Sequence, residues 1–215
     1  MQVCLASTSP ARLMLLRQAG IEPRTMAPDV DEDAVIAEVE AAESRRLGAH
    51  EHVLLLARRK AADVAARVAA EQSGFDGIVL GGDSMFEIGG EILGKPLTAE
   101  AATRRWRAMR GSTGVLHSGH SMIRVSPDAD PREAHAVAAA SVSFASDVTD
   151  AEIDAYVASG EPLQVAGAFT IDSLGGAFID RVVGDPSTVV GMSLSTVRSL
   201  ARELGVSWPD LWNRA

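Results

Sequence analysis

Cysteine is nearly absent from this chain of 215 residues, in which Cys4 is the only one. Because a single thiol cannot form an intramolecular disulfide, we expect the protein to work in a reducing compartment, the cytoplasm. No signal-peptide pattern precedes Cys4, and no apolar run reaches the roughly eighteen residues of a membrane helix. The sequence therefore predicts a protein that is neither secreted nor inserted in a membrane.

An excess of basic residues is also missing. The 29 acidic side chains outnumber the 20 lysines and arginines, and the formal net charge is -9. Proteins that bind nucleic-acid polymers usually carry a basic excess, so we expect no such partner. A local basic pocket remains compatible with this composition.

Internal repeats and low-complexity linkers are absent as well, and 47% of the residues are hydrophobic. A chain of this length and composition can bury a sizeable core. Strand-like and helix-like segments alternate without a break between two halves. This pattern predicts one α/β domain over residues 1–215.

Local signals mark the boundaries of most predicted helices and strands. Hydroxyl caps precede helices, glycines follow them, and a two-glycine turn joins two strands. The predicted elements are a strand from Val3 to Ala6, a helix from Pro10 to Gly20 capped by Ser9, an amphipathic helix from Glu51 to Gln72, a hairpin from Gly77 to Pro96 turning at Gly89 and Gly90, a helix from Thr98 to Gly111, a helix ending at Gly160 with a capping box of Thr149 and Glu152, strands up to Val190, and a helix from Leu194 to Leu204.

The stretch between the first strand and the first helix is rich in hydroxyl groups. Ser7, Thr8 and Ser9 precede a helix start, where unpaired N–H groups and the positive end of the dipole suit an anion. Arg12 lies in the first turn, where a cation is unfavourable for the helix itself and needs another partner. The alternative interpretation is that Ser9 is only an N-cap and the other hydroxyls only form the turn.

Lys60 interrupts the apolar stripe of the long helix. It lies one helical turn after Leu56 and one turn before Val64, and therefore among the inward-facing residues. This position predicts an ammonium group that points inward or along a cleft. A lysine whose stem passes along the edge of the core into water is the alternative.

Asp83 follows a buried strand, at the place where α/β sheets commonly bind ligands. A buried carboxylate needs a cation, a metal ion or hydrogen-bond donors. The two-glycine turn brings Lys95 within about one strand spacing of Asp83, although a regular ladder points the two side chains to opposite faces. A direct contact therefore requires a bulge or twist, and a purely structural ion pair is the alternative.

A second carboxylate, Glu32, lies in the acidic run from Asp29 to Val35. Such runs usually face solvent. From another part of the chain, however, Glu32 could join Asp83 in one site.

Several stretches together resemble the Maf family of nucleoside triphosphate pyrophosphatases. In chain order they are LASTSPARLMLLRQAGI, VDE, ARRKA, GGDSM, ILGKP and the long segment from Tyr156 to Leu194. The resemblance implies the fold of inosine triphosphatase-like proteins, a mixed sheet flanked by helices with a deep cleft between two lobes. It also implies hydrolysis of a nucleoside triphosphate to the monophosphate and pyrophosphate, which clears non-standard or surplus nucleotides, and a homodimer is a further expectation.

The resemblance assigns the reaction centre to four charged residues. Asp83 would accept a proton from the water that attacks the α-phosphorus, or else bind the metal directly. Glu32 and Asp83 would hold a divalent cation, Mg²⁺ or Mn²⁺, and Lys60 and Lys95 would stabilise the leaving pyrophosphate.

Substrate binding is assigned by the same resemblance. Ser7, Ser9 and Arg12 would hold the triphosphate. Two further positions depart from the family pattern: Ser84 replaces a threonine after the catalytic aspartate, and Asp172 stands where pyrimidine-selective relatives carry glutamine. The amide of glutamine both donates and accepts hydrogen bonds, whereas the ionised carboxylate of Asp172 only accepts them. The base preference of the glutamine-containing relatives therefore cannot be carried over to this chain.

Two other functions are weighed against this one. A nucleotide-binding regulator without significant turnover is the first, since Maf proteins have been linked to septum formation. A GDS-type serine esterase with Ser84 as nucleophile is remote, because the last histidine, His135, has no aspartate three residues before it. No P-loop pattern is present, because the lysine of GEILGKP lacks both the spacing and the following hydroxyl.

Overall fold

The computed structural model describes residues 1–71 and 74–213. Helices and strands alternate along this part of the chain, and short 3-10 turns lie within residues 161–178. The strands are β1 (Gln2–Ala6), β2 (Arg24–Thr25), β3 (Gly77–Ile88), β4 (Glu91–Leu93), β5 (Thr113–Ser126), β6 (Ala129–Phe144) and β7 (Ile179–Val183). The α-helices are α1 (Pro10–Gln18), α2 (Glu32–Glu43), α3 (Ala49–Glu71), α4 (Ala99–Met109), α5 (Asp150–Ala158), α6 (Pro186–Val190) and α7 (Leu194–Glu203).

The strands form one mixed sheet in the order β2-β1-β3-β5-β6-β7, with β4 on the side of β3 that also carries β1. The pairs made by β1 are parallel, whereas β5, β6 and β7 continue the sheet by antiparallel pairing. Helices pack against this sheet, so the expected α/β class with a mixed central sheet and flanking helices is confirmed.

Strand β3 is paired on one side by two different strands, with a gap between them. Pairing with β1 ends at Ala6 and Gly81, and pairing with β4 begins at Phe86 and Leu93. On its other side β3 pairs with β5 without interruption. Positions 82–85 of β3 therefore border an opening in the sheet, and Asp83 lies in it.

Separate apolar clusters form on the two sides of this opening. Around β1 and the first half of β3, the two faces of the sheet are covered by clusters that include Leu80 and Val79, respectively. Around the second half of β3, a third cluster contains Phe86, Trp106 and Phe144, whose rings make edge contacts. The two lobes that the resemblance implies thus correspond to separate cores that share β3, β5 and β6.

Helix α3 lies unusually close to the sheet because glycines face it. A Cβ atom on Gly81 would lie 2.3 Å from the carbonyl oxygen of Ala57, and one on Gly119 would lie 2.2 Å from that of Val53. Both distances are too short for any side chain. The glycines therefore set the distance between α3 and β3, and with it the reach of Lys60.

Most local predictions are confirmed. The side chain of Ser9 caps α1, Thr98 marks the start of α4 and caps it, and α5 has the predicted capping box. Gly89 and Gly90, with φ of 60° and 81°, form the turn between β3 and β4. The predicted end of the long helix, Gln72, lies outside the described residues.

The acidic run from Asp29 to Val35 is mostly exposed, as predicted, and Asp31 within it is the N-cap of α2. One prediction is wrong in part. Where we predicted strands up to Val190, the segment before β7 forms 3-10 turns (Glu161–Gln164, Ala166–Ala168 and Leu174–Phe178), and the segment after β7 forms helix α6. The carboxylate of Glu161 accepts hydrogen bonds from the N–H groups of Leu174 and Gly175, which bends the chain into turns and leaves no extended ladder.

Among the described helices, none has the length and apolar character of a membrane span.

Candidate active site

The ammonium group of Lys60 joins two carboxylates. Its Nζ lies 2.7 Å from Oδ1 of Asp83 and 2.8 Å from Oε1 of Glu32. The side chains of Lys60 and Asp83 are 9% and 12% exposed, whereas that of Glu32 is 50% exposed. The three charges form a cluster that is closed on the Asp83 side and open to solvent on the Glu32 side.

Helices α2 and α3 bring this cluster together. Lys60 faces the sheet from the apolar side of α3, next to Ala57 and Ala61, which are fully buried. Glu32 is the first residue of α2, where a carboxylate is favoured by the helix dipole. The inward orientation that the stripe position predicts for Lys60 is therefore what the structure shows, in place of a stem that ends in water.

Arg12 makes three hydrogen bonds to neutral acceptors. Its Nε donates to the carbonyl oxygen of Gly191 at 2.9 Å. Its Nη1 and Nη2 donate to the hydroxyls of Ser7 at 3.3 Å and Ser84 at 3.1 Å. Burial lowers the pKa of Arg12, and the negative charges of Asp83 and Glu32 oppose that shift. The guanidinium is thus fixed near two carboxylates without a direct ion pair to either.

The hydroxyl-rich turn before α1 supports this arginine. Ser9 accepts from the backbone N–H of Arg12 and donates its own N–H to the hydroxyl of Ser7. Both serines precede α1, whose N-terminus carries the positive end of the helix dipole. The unfavourable position of a cation in the first turn is therefore offset by bonds from other parts of the chain.

The side chains of Asp83 and Ser84 lie on opposite faces of β3. Asp83 contacts Lys60 on the α3 face, and Ser84 contacts Arg12 on the α1 face. Because β1 has ended and β4 has not begun at this point, the two faces are open to each other across positions 82–85. The opening is where a bound anion can meet both Arg12 and Lys60.

The structure does not bring Lys95 and Asp172 to this cluster. The ladder between β3 and β4 stops at Phe86 and Leu93, so the register that would set Lys95 opposite the Asp83 region does not extend that far. Lys95 is exposed and makes no hydrogen bond or ion pair with the described residues. Asp172 is also exposed, on the turn-rich segment held by Glu161.

Partial burial alone would raise the pKa of Glu161, but hydrogen bonds from Thr170 and Gly175 outweigh it and lower the pKa to about 2.

Three polar residues near the site were not predicted: His52, Ser118 and His120. His52 lies two turns before Lys60 on α3, where burial and then Lys60 lower its pKa while Asp83 raises it. Ser118 and His120 are fully buried on β5. The signal that would have found them is the run of histidines and serines, HSGHS, in the middle of a strand.

A divalent cation has two carboxylate oxygens available here. Lys60 occupies Oδ1 of Asp83 and Oε1 of Glu32, and no described residue donates a hydrogen bond to Oδ2 or Oε2. Within residues 1–71 and 74–213, no group of three or more histidine, cysteine or acidic side chains could hold a metal ion alone. This donor set fits Mg²⁺, which proteins commonly bind through one or two carboxylates together with substrate phosphates.

The sequence profile of a family described as "Maf-like protein" matches residues 2–204. The chain belongs to the Maf family. Two relatives of this Maf chain are both named nucleoside triphosphate pyrophosphatase. The protein of Leifsonia xyli subsp. xyli is 59% identical, over 100% of this chain and 98% of its own. That of Rhodococcus jostii is 51% identical, over 97% and 94%. Among solved structures, a HAM1 protein from Coxiella burnetii aligns over 98% of this chain and 96% of its own, with 13% identity and a TM-score of 0.41.

The Maf assignment covers both the three-charge cluster and Arg12. Asp83, Lys60, Glu32 and Arg12 lie inside the matched range 2–204 and also inside the alignment to the Leifsonia relative. The residues that sequence and geometry single out in this Maf chain are therefore part of the shared domain.

Proposed function

We propose that this chain hydrolyses a nucleoside triphosphate to the nucleoside monophosphate and pyrophosphate. Membership of the Maf family and the names of the relatives support this activity. The observation that carries the proposal is the convergence of Asp83, Lys60 and Arg12 at the opening in the sheet. A carboxylate beside two cations provides a base next to a site for a polyanion.

The triphosphate binds first through its charge. Arg12 has five N–H donors, of which three are engaged, so two remain for phosphate oxygens. Ser7 and Ser9 place their hydroxyls at the start of α1, where the dipole favours an anion. Lys60 lies at the other side of the opening, and its charge stabilises the leaving pyrophosphate.

Hydrolysis requires a base for the attacking water. Oδ2 is the oxygen of Asp83 that Lys60 leaves unbound, so it is the atom that takes the proton as the water oxygen attacks the α-phosphorus. The ammonium at Oδ1 keeps the carboxylate oriented. The bond between the α-phosphorus and its bridging oxygen breaks, and the electron pair leaves with pyrophosphate.

Mg²⁺ or Mn²⁺ is proposed as the cofactor, and Glu32 would hold it together with the substrate. When bound, the ion would supply positive charge to neutralise the phosphates. Asp83 is an alternative ligand, but its single unbound oxygen cannot accept the water proton and bind a cation in the same complex. The base and ligand roles of Asp83 are therefore exclusive.

The products identify the reaction. The protein is incubated with each ribo- and deoxyribonucleoside triphosphate and Mg²⁺ or Mn²⁺, and pyrophosphate is assayed separately from orthophosphate. In ¹⁸O-labelled water, attack at the α-phosphorus places the label in the monophosphate. Diphosphate with orthophosphate as the main products, or label in pyrophosphate, would contradict the proposal, and the same preparation of Asp83→Asn controls for contaminating enzymes.

Other parts of the proposal extend beyond the reaction itself. We propose that the enzyme acts as a single domain over residues 1–215, in the cytoplasm, where it clears non-standard or surplus nucleotides. Assembly as a homodimer and lack of binding to nucleic-acid polymers are included. The non-catalytic regulator is distinguished by the product assay, since it would bind nucleotide without releasing pyrophosphate.

We also propose roles for Lys95 and Asp172, although neither contacts the Lys60–Asp83–Glu32 cluster in the structure. Lys95 would reach the leaving group, and Asp172 and Ser84 would contact the substrate. Lys95 and Asp172 are exposed, so each is accessible to a bound nucleotide.

A further inference from the structure

One main-chain carbonyl lies at the centre of the contacts of Arg12. The oxygen of Gly191 accepts from Nε of Arg12 at 2.9 Å. It also accepts from the hydroxyls of Ser118 at 3.2 Å and Ser84 at 3.3 Å. Gly191 follows α6 and is 179 positions away from Arg12 along the chain. The orientation of the guanidinium therefore depends on where a distant segment places this carbonyl.

Asp185 accepts hydrogen bonds from residues on both sides of Gly191 in the chain. Its Oδ1 accepts from the backbone N–H and the hydroxyl of Ser187, at 2.9 and 2.7 Å. Its Oδ2 accepts from the hydroxyls of Ser193 and Ser195, each at 2.7 Å. Partial burial alone would raise the pKa of Asp185, but the hydrogen bonds from Ser187 and Ser193 outweigh it and lower the pKa to about 2. The carboxylate is ionised at neutral pH and encloses Gly191 between its two sets of donors.

Two further features restrict the turn formed by residues 185–195. The backbone N–H of Ser193 donates to Nε2 of the buried His120 at 2.9 Å. Gly191 has a φ of 120°, in the region that only glycine adopts without strain. The direction of its carbonyl is thus determined by the fold of residues 185–195 and not by contact with Arg12 alone.

We propose that Asp185 is a positioning residue for the triphosphate site, acting through the Gly191 carbonyl on the guanidinium of Arg12. This inference rests on the proposed function, in which Arg12 binds the triphosphate. No described contact joins Asp185 directly to Arg12 or Asp83, so the effect is transmitted by the turn. Three acceptors, the Gly191 carbonyl and the hydroxyls of Ser7 and Ser84, hold the plane of the guanidinium and leave two of its N–H groups for a ligand.

A double-mutant cycle tests the inference by binding, without turnover. Inorganic tripolyphosphate is titrated calorimetrically into the wild type, Asp185→Asn, Arg12→Gln and the double variant. We expect Asp185→Asn to weaken binding about tenfold in the wild-type background and to have no further effect when Arg12 is already replaced. Equal weakening in both backgrounds, no weakening in either, or a wild type that does not bind tripolyphosphate would overturn it.

Two controls separate positioning from loss of fold. Asp154→Asn removes an exposed aspartate of α5 that makes no hydrogen bond through its side chain in the described residues, and should bind tripolyphosphate as the wild type does. Ser195→Ala removes one donor at the exposed end of Asp185 and replaces Asp185→Asn if that variant does not fold; it should show a smaller loss with the same dependence on Arg12. In steady state, positioning raises KM for the nucleotide with kcat nearly kept, whereas a reduced folded fraction lowers kcat alone.

The outcome is independent of the reaction assay. A wild type that releases no pyrophosphate from any nucleotide would refute the proposed function. The coupling between Asp185 and Arg12 would still be measured by tripolyphosphate binding, so the two failures are distinguishable.

Discussion

Lys60 and Asp83, on different elements of the fold, form a nearly buried ion pair in which Nζ lies 2.7 Å from Oδ1. The pair leaves Oδ2 of Asp83 without a hydrogen bond from the described residues, and we propose this oxygen as the reactive atom. A second contact, to Glu32, holds the ammonium from the solvent side. The chemistry proposed for this site depends on that division of the two Asp83 oxygens.

Replacing Asp83 by asparagine should nearly abolish turnover while the fold is kept. The amide has almost the shape of the carboxylate and can still accept from Lys60, but it cannot take a proton from water. We expect kcat to fall by a factor of about a hundred to ten thousand. The measurement is the steady-state rate of pyrophosphate release, with circular dichroism as the test of folding. Wild-type rates in a folded variant would remove Asp83 from the mechanism.

The same variant separates the two exclusive roles of Asp83. Mn²⁺ binding, followed by electron paramagnetic resonance, should be retained if Asp83 acts as the base and Glu32 holds the cation. Loss of Mn²⁺ binding together with turnover would assign Asp83 to the metal.

Lys60→Met and Lys95→Met form a matched pair of substitutions. Removing the Lys60 ammonium leaves Asp83 without its partner, so we expect a loss of about 1–3 kcal/mol in unfolding free energy and a drop in kcat of more than tenfold. Lys95 is exposed and makes no hydrogen bond or ion pair with the described residues, so Lys95→Met should leave the melting temperature unchanged. Thermal melting and steady-state kinetics are measured together. Unchanged kinetics in Lys60→Met would make that lysine purely structural.

Gly119→Ala should move α3 away from the sheet. The added Cβ would lie 2.2 Å from the carbonyl oxygen of Val53, so the helix must shift, and overpacking of this kind costs about 1–3 kcal/mol. Because α3 carries Lys60, turnover should fall as well. Gly94→Ala is the control, since its Cβ would meet no atom within 4 Å. Equal melting temperatures for the two variants would contradict the close packing of α3.

Stability should decrease as the pH falls through the range set by His120. Burial, followed by the charge of Arg12, lowers the pKa of this histidine from its usual 6.5 to about 4. Between these values the unfolded chain binds more protons than the folded one, so the free energy of unfolding falls by about 3 kcal/mol from pH 7 to pH 4. Denaturant unfolding across this range measures the slope. His120→Asn should be less stable at pH 7 but flatter between pH 7 and 4, and an unchanged slope would contradict the assignment.

Much of the local structure follows from neighbouring residues alone. The cap of Ser9, the capping box of Thr149 and the turn at Gly89 and Gly90 each depend on bonds within a few positions, so the sequence predicts them correctly. The candidate positions Lys60 and Asp83 are detectable for a related reason. Each places a charge where the periodicity of a helix or strand requires an apolar residue.

The partners of those residues were decided by the tertiary structure. Whether Asp83 meets Lys60 or Lys95 depends on where the β4 ladder ends and how closely α3 approaches β3, and both are set by packing between distant segments. The carbonyl of Gly191 reaches Arg12 across 179 positions, a contact that no local pattern encodes. The sequence by itself determined which residues break their patterns, because periodicity is local; only the folded chain decided which of them touch, because their contacts form when separate elements are packed together.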